Sequence, residues 1–267
     1  MLEKIKYIVA VASGKGGVGK STTAVNTALA LKSLGKSVGV LDADIYGPSI
    51  AMMLGVPEDQ RPEVVDEKFF KPVMAHGLAT ISMAYLTTGK TPMVWRGPMA
   101  AGALQQLLQQ TDWGELDVLV VDMPPGTGDI QLTLAQKAKI SGAVIVTTPQ
   151  NIALLDAKKG IEMFVKVKIP VLGIVENMAT HICSNCGTEE SIFGHGGGEQ
   201  VAEQYSTQLL GSLPLDGAIR LQGDVGTPIS IADTNPEISR HYKNIAQRLM
   251  TELEKSDTQS SPQIVFE

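Results

Sequence analysis

Cysteine is scarce in this chain, with two residues among 267. That excludes a disulfide framework and leaves both thiols for chemistry. Long apolar runs are missing as well: no stretch approaches the roughly 18 residues of a membrane helix, so no membrane partner is expected. The N-terminus lacks the charged, apolar and small-residue succession of a secretory signal, and the expected location is cytoplasmic. Positive charge is in short supply, since 22 Lys and Arg stand against 28 Asp and Glu for a formal net charge of −6. This balance gives no general electrostatic footprint for nucleic acid, and no nucleic-acid partner is expected. Repeats, low-complexity blocks and composition breaks are absent too. Residues 1–255 therefore read as a single domain, followed by a polar, flexible tail over 256–267 in which Ile264, Val265 and Phe266 are the apolar residues. At 43% hydrophobic residues, the chain can bury a substantial core.

What the chain has is glycine in one decisive place. Gly14, Gly16, Gly17 and Gly19 fall within six positions, and with Lys20 and Ser21 they satisfy G-x-x-x-x-G-K-S/T. The β-rich run Tyr7 to Ala12 precedes the motif, and a helix-forming segment, Thr23 to Leu31, follows it. Across Gly14-Lys15-Gly16-Gly17-Val18-Gly19-Lys20-Ser21-Thr22, the glycines let backbone N–H groups converge on phosphate oxygens, and the helix adds its positive end. Lys20 is expected on the β- and γ-phosphates, and the Ser21 hydroxyl in the coordination of Mg²⁺.

Lys15 departs from the ordinary pattern, which makes no demand at that position. Here the sequence resembles the deviant Walker A class, G-K-G-G-x-G-K-S/T, whose members include the nitrogenase iron protein, MinD and ParA. In that class the second lysine reaches across a two-fold axis to the other subunit's nucleotide. The resemblance implies a homodimer in which Lys15 acts catalytically in trans, offsetting charge on the transferring phosphoryl group as an arginine finger does. The plainer reading makes Lys15 a solvated charge.

Carboxylates follow two strand-like runs. Asp42-Ala43-Asp44 comes after Ser37 to Leu41, and Asp122 closes Val118 to Val121, leading into Met123-Pro124-Pro125-Gly126-Thr127-Gly128-Asp129. Acidic groups at the C-terminal ends of parallel strands face the crevice where an open α/β sheet binds its ligand. Asp122 fits the aspartate that holds Mg²⁺ through water, and Asp44 the residue that positions or activates the attacking water. Asp42 is placed with Ser21 and Asp122 among the magnesium residues, its division of labour with Asp44 left open. Rigid prolines beside flexible glycines make Pro124 to Asp129 a candidate switch near the γ-phosphate.

Further strands are expected at Ala143 to Thr147, Pro170 to Glu176 and Leu209 to Leu213. Helices are expected at Met99 to Gln110, Ile130 to Lys139, Ala153 to Val165 and Glu237 to Leu253. Such alternation argues for an α/β, three-layer P-loop NTPase fold, with a mostly parallel central sheet covered by helices on both faces. Glu58 to Lys90 is ambiguous between a hairpin and an irregular crossover.

The two cysteines occur as Cys183-Ser184-Asn185-Cys186-Gly187. Such a knuckle sets two thiolates on one tight turn, with Gly187 free to take positive φ. Two thiolates are half of a closed tetrathiolate site. If Lys15 implies a two-fold dimer, two copies of Cys183 and Cys186 complete the set at its axis.

The chain then resembles the Mrp/ApbC-type iron–sulfur cluster carrier ATPases over almost its whole length. The matching segments are Gly14 to Thr22, Asp42 to Ser49, Trp95-Arg96-Gly97-Pro98-Met99, Asp122 to Asp129, Glu176-Asn177-Met178, Cys183 with Cys186, and Phe193 to Glu199. The resemblance implies ATP hydrolysis, and a labile 4Fe–4S cluster on Cys183 and Cys186 of both subunits, received from cluster donors and passed to apoproteins. It also implies that Asn177 contacts adenine, together with backbone near Pro214, Leu215 and Asp216. Some relatives carry an additional N-terminal part, whose role is expected to be missing or supplied by another protein.

Other readings stand beside it. His181, Cys183, Cys186 and His195 make a conceivable Cys₂His₂ zinc site within one chain, although the spacing fits no familiar finger. A zinc-stapled dimeric targeting ATPase would use the same cysteines only to hold its dimer. A MinD- or ParA-like positioning ATPase would cycle on membrane or DNA, which the polar C-terminus and the acidic balance disfavour. Arg96 is open between a phosphate, partner or cluster contact and a structural ion pair beside Trp95. Met52, Met53, Met83, Met93 and Met99 read as packing.

Overall fold

The first strand, β1 (Ile5–Ala12), contains almost no polar residue and is sandwiched between two apolar layers. Tyr7, Val9 and Val11 join one layer, while Ile8, Ala10 and Ala12 join the other. That is the pattern of a central parallel strand with helices on both faces. The computed structural model describes residues 2–66, 68–85 and 97–260. In chain order, β1 leads into α1 (Lys20–Ser33), β2 (Val38–Asp42) and a short α2 (Ile50–Met53). Two hairpins follow, β3 (Val64–Val65) with β4 (Phe69–Phe70), and β5 (Val73–Ala75) with β6 (Leu78–Ser82). Helix and strand then alternate through α3 (Gly97–Gln110), β7 (Leu116–Asp122), α4 (Asp129–Lys137), β8 (Gly142–Thr147), α5 (Asn151–Lys166) and β9 (Val171–Glu176). A small hairpin, β10 (His181–Ile182) with β11 (Glu189–Glu190), precedes α6 (Gly197–Gln204), β12 (Leu209–Ser212), α7 (Gly217–Asp224) and α8 (Pro236–Ser260).

The main sheet has eight strands in the order β12-β9-β8-β1-β7-β2-β6-β5. All neighbours are parallel except β5, which runs antiparallel to β6. Leu104 and Leu108 of α3, Leu134 of α4, Phe164 of α5 and Val201 of α6 pack on one face. Val25 and Leu29 of α1, Ile50 of α2, and Tyr242 and Leu249 of α8 pack on the other. The ambiguous Glu58 to Lys90 segment contains both hairpins, and its β6 joins the main sheet beside β2; positions 86–90 lie outside the described residues. Trp95, Arg96 and Met93 lie outside them too, as do Ile264, Val265 and Phe266. The helix expected to close at Leu253 continues to Ser260, where Tyr7 of β1 donates a 2.5 Å hydrogen bond to Asp257. Among the described residues, no helix is long and apolar enough to cross a membrane.

Order reverses at β1, which lies between β7 and β8 although its helix leads to β2. Ligands of open α/β sheets bind outside the carboxyl ends of the strands at such a reversal. Ala12, Asp42, Asp122, Thr147 and Glu176 all end strands along that one edge.

Candidate nucleotide site and thiol hairpin

Close approach shapes the loop between β1 and α1. A side chain at Gly14 would place its Cβ 2.0 Å from the Asp156 carbonyl oxygen of α5. Gly19, at φ 83°, would place one 2.1 Å from Asn177 Nδ2. Asn177 occupies that position because its amide donates to the Val18 carbonyl at 2.8 Å, tying the end of β9 to the loop. Above the loop is a cleft of about 430 Å³. Gly16, Gly17, Gly19, Lys20, Ser21 and Thr22 line one bank, Asp44 borders it, and Asn177, Pro214 and Asp216 stand opposite. Gly14, Lys15, Val18, Asp42 and Asp122 stand outside its lining. Val18 points into the core, and Lys15 is half-buried, its carbonyl accepting from the Ser13 hydroxyl at 2.9 Å.

Below the loop lies a chain of buried charge. Lys20 Nζ is 2.6 Å from Asp122 Oδ1 and 3.1 Å from Ser21 Oγ. Burial raises the Asp122 carboxyl above its ordinary range, against the pull of Lys20. Among the described residues, its second oxygen, Oδ2, is buried without a hydrogen-bond partner. An orphaned acceptor beside a serine hydroxyl suits a hard cation or its water, so Ser21 and Asp122 fit Mg²⁺.

Asp42, expected with them, is fully buried and otherwise engaged. Oδ1 accepts from Asp44 N at 3.1 Å. Oδ2 accepts from Ser49 N and Ile50 N, both at 3.1 Å, and from Ser82 Oγ at 3.0 Å. Burial, and then the charge of Asp122, push its carboxyl up to about 7. Asp42 thus holds both ends of the loop that carries Asp44, and Asp44 itself accepts from Gly47 N at 3.2 Å.

α7 was missed from sequence, yet its Ile219 and Arg220 border the cleft, as do Met52, Met53 and Met178. A signal was available in Asp216, which caps α7 by accepting from Ala218 N at 2.7 Å.

Cys183 and Cys186 lie away from the cleft lining, on the turn between β10 and β11. Cys183 N donates to Thr188 O at 2.9 Å and Gly187 N to Cys183 O at 2.8 Å, with Gly187 at φ 71°. Both thiols are free; Cys183 is half-buried and Cys186 exposed. Hydrogen bonding to the Thr188 side chain and backbone, with help from Cys183, lowers the Cys186 thiol below its usual range. Among the described residues no set of three or more His, Cys, Asp or Glu is placed to hold a metal. The single-chain Cys₂His₂ arrangement therefore does not form, and His181 turns Nδ1 to the Leu215 carbonyl instead.

A glycine loop joining the first strand to its helix, its lysine on the aspartate that ends β7, and a parallel sheet reversing at β1 define a P-loop NTPase. The family described as ParA, NUBPL iron-transfer P-loop NTPase, matches residues 4–250, and the chain belongs to it. It is 63% identical over 245 residues to a protein of Pseudomonas fragi named iron-sulfur cluster carrier protein, covering 92% of this chain and 85% of that one. An Escherichia coli K12 protein of the same name is 61% identical over 249 residues, with coverage of 93% and 67%. Among solved structures, a nucleotide-binding protein of Archaeoglobus fulgidus in complex with ADP, in which cobalt was found, superposes with a TM-score of 0.77. It is 38% identical, with 90% of this chain and 93% of that one covered.

Proposed function

We propose that this chain is an ATP-hydrolysing carrier of iron–sulfur clusters, working as a homodimer whose cargo is a 4Fe–4S cluster held by Cys183 and Cys186 of both copies and passed to apoproteins. The observation that carries it is the thiol hairpin. Two accessible cysteines are preset on one turn, and no third ligand stands near them among the described residues. A tetrathiolate site needs four sulfurs, and a two-fold axis supplies them without any further residue. The names of the relatives agree with that cargo.

At the cleft, the backbone N–H groups of Gly16 to Thr22 would cradle the phosphates, with Lys20 on their outer oxygens. Asn177, Pro214 and Asp216 would receive the base. Mg²⁺, held by Ser21 and Asp122, would supply charge neutralisation at the phosphate oxygens. Asp44, kept at the cleft by Asp42, would orient the attacking water, and Lys15 would reach the partner's nucleotide.

Anaerobic reconstitution with iron and sulfide tests the reading. The expected product is a dimer with four irons and a broad visible charge-transfer band, lost in Cys183→Ala while ADP binding persists. Zinc uptake in preference to iron, with no such band, would overturn the carrier role in favour of a zinc-stapled dimer.

A further inference from the structure

The nucleotide cleft and the thiol hairpin are joined by one stretch of paired backbone. Past the end of β9, the chain stays zipped to the segment that follows β12. Leu213 N donates to Glu176 O at 2.9 Å, Ala179 N to Leu213 O at 2.9 Å, and Leu215 N to Thr180 O at 2.7 Å. The last rung is a side chain, with His181 Nδ1 3.0 Å from the Leu215 carbonyl oxygen. A carbonyl only accepts, so Nδ1 carries the proton in this contact. On one side of the rung, Pro214, Leu215 and Asp216 line the cleft, and Asp216 caps the α7 helix that borders it. On the other, His181 pairs with Glu190 in the hairpin, and Cys183 follows two residues later.

Strands of two residues hold a hairpin weakly by themselves, so the root of this one governs where its turn points. His181 has no place in the proposed chemistry: it does not line the cleft and, among the described residues, belongs to no metal-ligand set. We propose that His181 is a positioning residue that couples the cleft to the thiols. Its hydrogen bond makes Cys183 follow the Leu215 carbonyl, so that a nucleotide pressing on Pro214 to Asp216 moves the cargo ligands along this strand pair. The route bypasses the loops after β2 and β7. Its use in cargo handling rests on the carrier reading, but the coupling is a property of the chain alone. Coupling requires that nucleotide contacts differ between two hairpin positions, and by linkage an occupied hairpin must change nucleotide affinity by the same factor.

The test uses cluster-free protein at fixed pH, with thiol modification by Ellman's reagent followed in the absence and presence of saturating Mg-ADP. Wild type is expected to change its rate by about fivefold or more on adding nucleotide, as for an ordinary allosteric coupling. His181→Leu and His181→Ala should lose that difference while still binding ADP by calorimetry. His181→Asn should restore it, because its amide nitrogen stands at the same place along the side chain as Nδ1. A nucleotide effect that persists in His181→Leu, or its absence in wild type, would overturn the proposal. No cluster enters the measurement, so a chain that fails reconstitution yet shows this pattern refutes the carrier role and leaves the coupling intact.

Discussion

Asp42 and Asp122 face each other across neighbouring strands, and Lys20 is bonded to Asp122. For Asp42, burial and its neighbour's charge move the carboxyl from 3.8 to about 7, so the folded chain keeps this proton longer than the unfolded chain does. Stability from this group is therefore present at low pH and falls as pH rises from the ordinary carboxylate range towards 7. Asp42→Asn removes the titration. Its melting temperature relative to wild type should rise between pH 5 and pH 8, and a relative fall would show that the ionised carboxylate is the favoured folded form. The Asp-x-Asp spacing showed that two carboxylates close β2, but their division of labour was not readable locally. It depends on Ser82, a donor 40 residues further on that arrives only because β6 joins the sheet. Lys20 and Ser21 were legible because a glycine loop between strand and helix fixes their surroundings within one short segment.

Elements with long apolar runs were likewise readable, and their observed bounds differ from expectation by a few residues, except at the C-terminal end of α8, which runs on to Ser260 and makes helix of the first residues of the expected flexible tail. β3 and β4 were not: each has two residues, and such strands leave no periodic trace. The same brevity hid the hairpin that carries the thiols: the Cys-x-x-Cys spacing was visible in the sequence, but the two-residue strands on either side of it were not. α8 was clear in its amphipathic part, and together with α1 and α2 it covers one layer of the core. Leu249, 1% exposed, sits in that layer. Leu249→Ala should cost about 2–5 kcal/mol of unfolding free energy, read as a lower urea midpoint with unchanged slope. A cost below 1 kcal/mol would mean that α8 packs loosely.

At the scale of the whole molecule, the proposed dimer makes each nucleotide depend on a lysine from the other copy. Lys15→Ala should lower ATP turnover by about 10²-fold or more while nucleotide still binds. Mixing it with Lys20→Ala should recover activity, because one hybrid site then holds both lysines; turnover that stays flat on mixing would place Lys15 in cis. One further consequence lies in the order of synthesis. β1 and the phosphate loop precede α8 by more than two hundred residues, yet the face of Tyr7, Val9 and Val11 shares its layer with Tyr242, Leu249 and Leu253 of α8. Contacts that span more than two hundred residues close slowly, and apolar strands that wait for them are exposed to aggregation. A ribosome-bound chain has therefore made its glycine loop long before α8 emerges to close the apolar layer behind β1.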